Sequence, residues 1–352
     1  MEPVTQALAA VALARCGFKR VTPMALPIIV TAGLAPSLDW LSVLGGARAF
    51  LAGHRTATDS LVGIVALAAL IAGAFVVISR KLERAKKRRA ETSSAPTKPL
   101  ALRFMPAFYA ALAGGGLHVL LDLTNSYGVK LLWPFSSRWF AWDLTAPLDP
   151  WILFLLLAGL LIPALFRMIT EEIGAKAKRK TVDRRAVVAL AMVAMFCCGR
   201  LILQQRATAE LEARVYRGEA PNAAAAFPRS SSPLFWTGVV DTDDTMEEVE
   251  VSFSPGVPFD PESARVFYKA EASLALEVAQ RSDVGIAFLE FARFPLARVQ
   301  RDGDGYRIEL RDLRFDAAPH AERNVIAQVD VDASNQVTRE ELLFNPAESV
   351  LP

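Results

Sequence analysis

Three histidines occur in the whole chain, and two of them, His54 and His118, stand close in sequence to carboxylates. His118 is followed four residues later by Asp122. On a helix, positions i and i+4 share a face, so this imidazole and this carboxylate can hold one metal ion. His54 and Asp59 flank the start of a long apolar run, and Asp39 ends the apolar segment before it. Nitrogen and carboxylate oxygen together form a donor set for a divalent metal such as zinc, manganese or magnesium. Plainer readings stand beside this one. A histidine near a helix end commonly packs, Thr58-Asp59-Ser60 offers several helix N-caps, and Asp122 can pair with Arg55.

These residues need elements to position them, and the elements are apolar. The chain has 352 residues, 53% of them hydrophobic, with a mean hydropathy of +0.29. Residues 61–79 run for 19 positions without a charge, enough to cross about 30 Å of hydrocarbon. Residues 151–166, 186–203 and 104–121 read as further spans, the last carrying Gly114–Gly116 and His118. Residues 25–38, interrupted by Pro27 and Pro36, are a weaker span, and the helix at 4–16 is too short to cross. Glycines and a histidine inside a span are tolerated on a face that meets other helices rather than lipid.

Basic residues give the orientation. Nine Lys and Arg lie between Arg80 and Arg103 and seven between Arg167 and Arg185, whereas 122–149 holds only Lys130 and Arg138. Positive charge marks cytoplasmic loops, so both basic loops belong inside, with Lys19 and Arg20. Residues 39–60, 122–149 and everything after Leu203 then belong outside. Asp39, His54, Asp59, His118 and Asp122 took no part in that count, yet all five fall at the extracytoplasmic face. The net charge of +2 gives no case for nucleic acid, and Cys16, Cys197 and Cys198 read as packing residues. The amino-terminal stretch has its basic residues after its apolar ones, the reverse of a cleavable signal.

Residues 85–99 are polar and of low complexity and read as a cytoplasmic linker, and 205–233 as a second linker. Beyond it, 247–253, 264–269, 306–310 and 324–331 alternate apolar and polar residues as half-buried strands do, with a turn at 302–305 and part of a helix within 263–280. The expected fold is therefore mainly α. A polytopic helical membrane bundle of about four to six helices occupies 1–204, and a smaller α+β extracytoplasmic domain occupies 234–352.

Several blocks together resemble the YdjM/YbcI family of inner-membrane proteins, described as metal-dependent hydrolases. They are Met1-Glu-Pro-Val-Thr5, Pro36-Ser-Leu-Asp39, His54-Arg55 with Thr58-Asp59-Ser60, and His118 with Asp122 and Ser126-Tyr127-Gly128. Leu132-Trp-Pro134-Phe135-Ser136, Trp139 and Leu148-Asp149-Pro150-Trp151 complete the set. The likeness covers about residues 1–170, with a looser one at Phe291–Pro295. It implies a multi-pass inner-membrane protein. It also implies a divalent metal, zinc first, held by His54, Asp59, His118 and Asp122. Asp39 would be a further ligand or the general base, and Arg55 would bind a substrate anion. Such an ion lowers the pKa of bound water toward 7 and so supports hydrolysis. A phosphoester or lipid-linked substrate is suggested by distant analogy alone.

Three positions depart from the family's pattern: Gln6 and Asp59 stand where it has His, and Ser37 where it has Asp. A second function class thus stays open, a catalytically degenerate membrane protein of the same fold that binds lipid or a partner. A transporter fits less well, because no acid or base lies deep in 61–79, 151–166 or 186–199. Tyr127, Trp133, Trp139 and Trp142 read either as an interfacial aromatic belt or as a re-entrant loop over the site, where Arg138 and Asp143 can pair.

Overall fold

The computed structural model describes residues 1–90, 102–172, 182–315 and 325–344. They divide into two compact units: Met1–Asp39, Arg55–Ala141 and Asp149–Cys198 form the first, and Trp40–His54, Trp142–Leu148 and Gly199–Pro352 the second.

The first unit is helical. Helix α1 (Pro3–Arg15) starts with a proline at its first turn and with the Glu2 carboxylate accepting from Thr5 N at 3.2 Å, both ordinary ways to begin a helix. Helix α2 (Ala25–Leu34) is followed by Pro36, and the chain goes on as a 3-10 helix, Pro36–Gly45, and then α3 (Gly46–Gly53); from Trp40 this stretch is part of the second unit. Then come α4 (Leu61–Ala90), α5 (Phe104–Leu123), α6 (Pro150–Glu172) and α7 (Arg184–Glu212), which from Gly199 also belongs to the second unit. Asp149 starts α6 by accepting from the amides of Trp151 and Ile152 at 3.0 and 3.2 Å.

Among the described residues, four helical stretches are long and apolar enough to cross a membrane: Ala25–Gly53, Leu61–Ala85, Phe104–Leu123 and Arg184–Glu212. The weak span expected at 25–38 thus belongs to a longer apolar stretch, broken by Pro36, whose ring cannot sit in a helix interior without displacing a hydrogen bond. The span expected at 151–166 lies within α6. The linker expected at 85–99 falls mostly outside the described residues, and those up to Ala90 continue α4.

Small residues bring α1, α2, α4 and α5 together. Ala10, Ala32, Ala68, Ala72, Ala107 and Ala111 are all buried in one cluster around Ile28 and Ile29. Helices in lipid associate by close packing and gain nothing from burying apolar surface, so small side chains set how near they come. Gly114 is the limiting case, since a Cβ there would sit 2.5 Å from the Ile29 carbonyl oxygen.

The second unit contains two antiparallel four-stranded sheets in simple sequential order. The first has β1 (Ala223–Pro228), β2 (Phe235–Asp241), β3 (Thr245–Ser252) and β4 (Arg265–Tyr268). Helices α8 (Leu274–Arg281) and α9 (Asp283–Leu289) follow. The second sheet has β5 (Pro295–Asp302), β6 (Gly305–Asp312), β7 (Val325–Val331) and β8 (Val337–Phe344). Strand β6 shows the expected alternation, with Ile308, Leu310 and Asp312 buried on one face. Phe227, Val239 and Met246 of the first sheet share a core with Phe294, Leu296 and Leu313. The stretch expected as a linker, 205–233, is mostly structured, because α7 runs to Glu212 and β1 begins at Ala223. Ala207 and Leu211 explain this: they are fully buried under β2 and β3 with Trp236 and Val249, so the helix ends inside the domain's core.

Candidate metal centre

The site is assembled by the turn before α4 and by the end of α5. Ser60 takes the N-cap role, its Oγ accepting from Gly63 N at 2.9 Å, so Asp59 is not used as a cap. Asp59 is 1% exposed, and its Oδ2 accepts from Thr58 Oγ1 at 2.9 Å. Its Oδ1 is buried, takes no hydrogen bond among the described residues, and faces His118 Nε2 at 3.3 Å. On the next turn of α5, Asp122 Oδ2 lies 3.5 Å from the same Nε2. One ligand atom from each of Asp59, His118 and Asp122 lies within 4.8 Å of the others, and all three residues are buried.

The other ring nitrogen fixes the chemistry of His118. Nδ1 lies 2.7 Å from the carbonyl oxygen of Gly33 on α2, which can only accept. Nδ1 therefore carries a proton, and the ring turns its Nε2 toward the two carboxylates. A metal-ligating histidine is characteristically held in this way, its second nitrogen donating to a backbone carbonyl. The Gly114 contact has its purpose here: α2 can lie near enough to α5 for Gly33 to reach the ring.

Asp122 is oriented through its other oxygen. Oδ1 accepts from Gln6 Nε2 at 2.9 Å and from the amino group of Met1. Gln6, one of the three departures from the family pattern, thus orients a ligand. On the opposite side Arg55 Nε lies 3.4 Å from Asp122 Oδ2. Arg55 is 4% exposed and has a backbone φ of +53°, unusual for a side chain of its size. Three contacts hold it there. Its N–H donates to Asp39 Oδ2 at 2.5 Å, its carbonyl accepts from Lys130 N at 3.0 Å, and its guanidinium lies 5.0 Å over the Tyr127 ring.

The structure thus brings Asp59, His118 and Asp122 together, with Arg55 beside them and Asp39 behind Arg55. His54 belongs to the second unit, where its ring stacks on Phe50 at 4.6 Å, and the three-residue group forms without it. Asp143 takes Arg293 as a partner, at 2.8 Å, while Arg138 lies over the Phe140 ring. The sequence reading missed Gly33, whose contribution is a main-chain carbonyl and leaves no side-chain signal. It also missed Arg293, which is 150 residues from Asp143.

One nitrogen and two carboxylate oxygens, one of them buried and without a hydrogen-bond donor among the described residues, fit a divalent cation. Apolar helices joined to a two-sheet domain, with a buried histidine–carboxylate group among the helices, define a membrane protein with a candidate metal site. Residues 1–207 match the YdjM inner membrane protein family, and the chain belongs to that family. No curated protein and no solved structure matches it.

Proposed function

We propose that this chain is a membrane-embedded, metal-dependent hydrolase whose ion is held by Asp59, His118 and Asp122. The observation that carries this reading is the pair of contacts on His118: Nδ1 is tied to Gly33 O at 2.7 Å, while Nε2 faces two buried carboxylates at 3.3 and 3.5 Å. When bound, a divalent ion supplies an activated water near neutral pH and polarises the scissile ester. The chain's own residues do the rest. Gln6 keeps Asp122 turned toward His118. Arg55 places a guanidinium next to the ligands, where its planar donors suit the oxygens of a phosphoester. Asp39 holds the Arg55 backbone and is the proposed general base. Burial of all three ligand residues limits bulk water and strengthens every charge interaction in the site.

The distribution of Lys and Arg supports an extracytoplasmic position for the site and for the C-terminal domain. A lipid-linked phosphoester fits that position, because a site among membrane helices reaches a substrate anchored in the bilayer. Membrane lipid is accordingly the expected surrounding, and the substrate a small or lipid-linked phosphoester.

A second reading has its own observation. Asp122 is already engaged by Arg55, Gln6 and Met1, so the group can stand as a self-satisfied ion-pair network in a protein that binds and does not catalyse. The two readings separate on a chromogenic phosphodiester presented to the full chain in detergent micelles. The hydrolase reading expects turnover that EDTA abolishes, that Mn²⁺ or Zn²⁺ restores, and that Asp59→Asn removes. Turnover absent under every metal tested, or unchanged in Asp59→Asn, would favour the second.

A further inference from the structure

Beyond α5 the first unit holds a hairpin, 129–140, whose outer end has no part in the functional reading above. Val129 and Phe140 close its base, exchanging both main-chain hydrogen bonds at 2.9 Å. The base is rooted between two spans. Val129 is fully buried with Ile64 of α4 and with Val119 and Leu123 of α5, and Leu131 and Phe140 pack against them. Leu131 O accepts from Leu61 N at 3.0 Å, which ties the hairpin to the first residue of α4. Tyr127, just before the base, is 3% exposed and meets the Trp139 ring edge to face at 5.7 Å.

The tip is the opposite. Leu132, Trp133 and Phe135 are exposed, Phe135 at 85%. The turn that carries them is nonetheless well bonded. Trp133 N donates to Lys130 O at 3.1 Å, and Leu132 O accepts from Phe135 N at 2.9 Å and from Ser136 N at 3.2 Å. A hydrogen-bonded turn that holds three large apolar side chains outward marks an interaction surface. The aromatic residues of this segment thus divide: Tyr127 packs inward and Trp133 stands out at the tip.

Two observations name what covers the tip. One is continuity. Leu61, Val62 and Val65 are exposed on α4 at the end to which the hairpin is tied, and α4 is long and apolar enough to cross a membrane. Lipid covers that surface of a spanning helix, and the Leu61–Leu131 bond joins the tip to it. The other is charge. Lys130 and Arg138 flank the tip, 5.1 Å over the Trp139 ring and 5.3 Å over the Phe140 ring. Residues 123–142 contain no Asp or Glu. Apolar and aromatic side chains between two cations suit the edge of a bilayer, with rings at the acyl boundary and cations at the phosphates.

We propose that hairpin 129–140 is a bilayer anchor: Leu132, Trp133 and Phe135 enter the lipid at the headgroup boundary, and Lys130 and Arg138 meet lipid phosphates. The anchor does not rest on the hydrolase reading, so its test uses neither metal nor substrate. The full chain, with Cys16→Ala, Cys197→Ala and Cys198→Ala, is placed in nanodiscs of phosphatidylethanolamine and phosphatidylglycerol. A nitroxide is attached at Phe135→Cys, and its relaxation by oxygen, which concentrates in lipid, is compared with that by a water-soluble nickel chelate. Leu132→Cys gives a second tip position. Val65→Cys is the lipid reference, and Ser334→Cys, in the exposed turn between β7 and β8, the water reference. At both tip positions the oxygen-to-nickel ratio is expected to exceed that at Ser334→Cys by about tenfold. Adding Lys130→Gln with Arg138→Gln should lower the ratio about twofold, as the tip rises from the lipid. A tip ratio equal to the water reference would mean solvent, and poor access of both relaxers would mean a protein partner or a second copy; either result overturns the proposal. An unchanged ratio in the paired Gln variant would overturn the role given to the two cations.

Discussion

At the scale of single residues, the site turns on a carboxylate oxygen that takes no hydrogen bond among the described residues. That oxygen, Asp59 Oδ1, is buried and lies 3.3 Å from Nε2 of His118. A buried carboxylate oxygen and an imidazole nitrogen this close need a proton or a cation between them. Asp59→Asn keeps the shape and removes the charge, so Mn²⁺ affinity measured by titration calorimetry should fall by about 100-fold or more. Gln6→Ala touches no ligand atom directly; it should weaken binding by about tenfold, because Asp122 loses a donor that orients it. Equal losses in the two variants would show that Gln6 is itself a ligand. The sequence showed part of this pattern. His118 and Asp122 were legible because helical spacing puts them on one face, and Asp59 because it precedes a span. Gly33 was not legible, since any residue supplies a carbonyl and only the packing of α2 on α5 brings that one to the ring.

At the scale of elements, close approach of helices is what makes the His118–Gly33 bond. Gly114→Ala would push a methyl group to within 2.5 Å of Ile29 O, forcing α2 and α5 apart. Overpacking of this kind costs about 1–3 kcal/mol, so thermal unfolding in micelles should start several degrees lower, and metal affinity should fall with it. Gly116→Ala is the matched control, because nothing lies within 4 Å of the added Cβ and stability should change little. The spans themselves were plain in the sequence as long uncharged runs. Strand β1 was not, and the reason is physical. Its Ala223-Ala-Ala-Ala-Phe-Pro228 sequence carries none of the β-branched residues that favour strands, and pairing with β2 overrides that weak local preference. The break in the Ala25–Gly53 stretch was signalled by Pro36, but nothing in the residues beyond it marked a 3-10 helix.

At the scale of the whole molecule, the apolar helices and the charge distribution predict a topology with the site and the C-terminal domain on the extracytoplasmic side. Ser334 lies exposed in the turn between β7 and β8. A Ser334→Cys variant should react with a membrane-impermeant maleimide in intact spheroplasts, and labelling only after lysis would reverse the orientation. That experiment places the site, but not its content. The central claim is that Asp59, His118 and Asp122 hold a divalent ion, and elemental analysis of the full chain purified without chelators tests it most directly. About one divalent ion per chain is expected in the native protein, with none in a His118→Gln variant that still melts cooperatively. Native protein that carries no such ion, and whose melting temperature does not rise when Mn²⁺ or Zn²⁺ is added, would contradict the account.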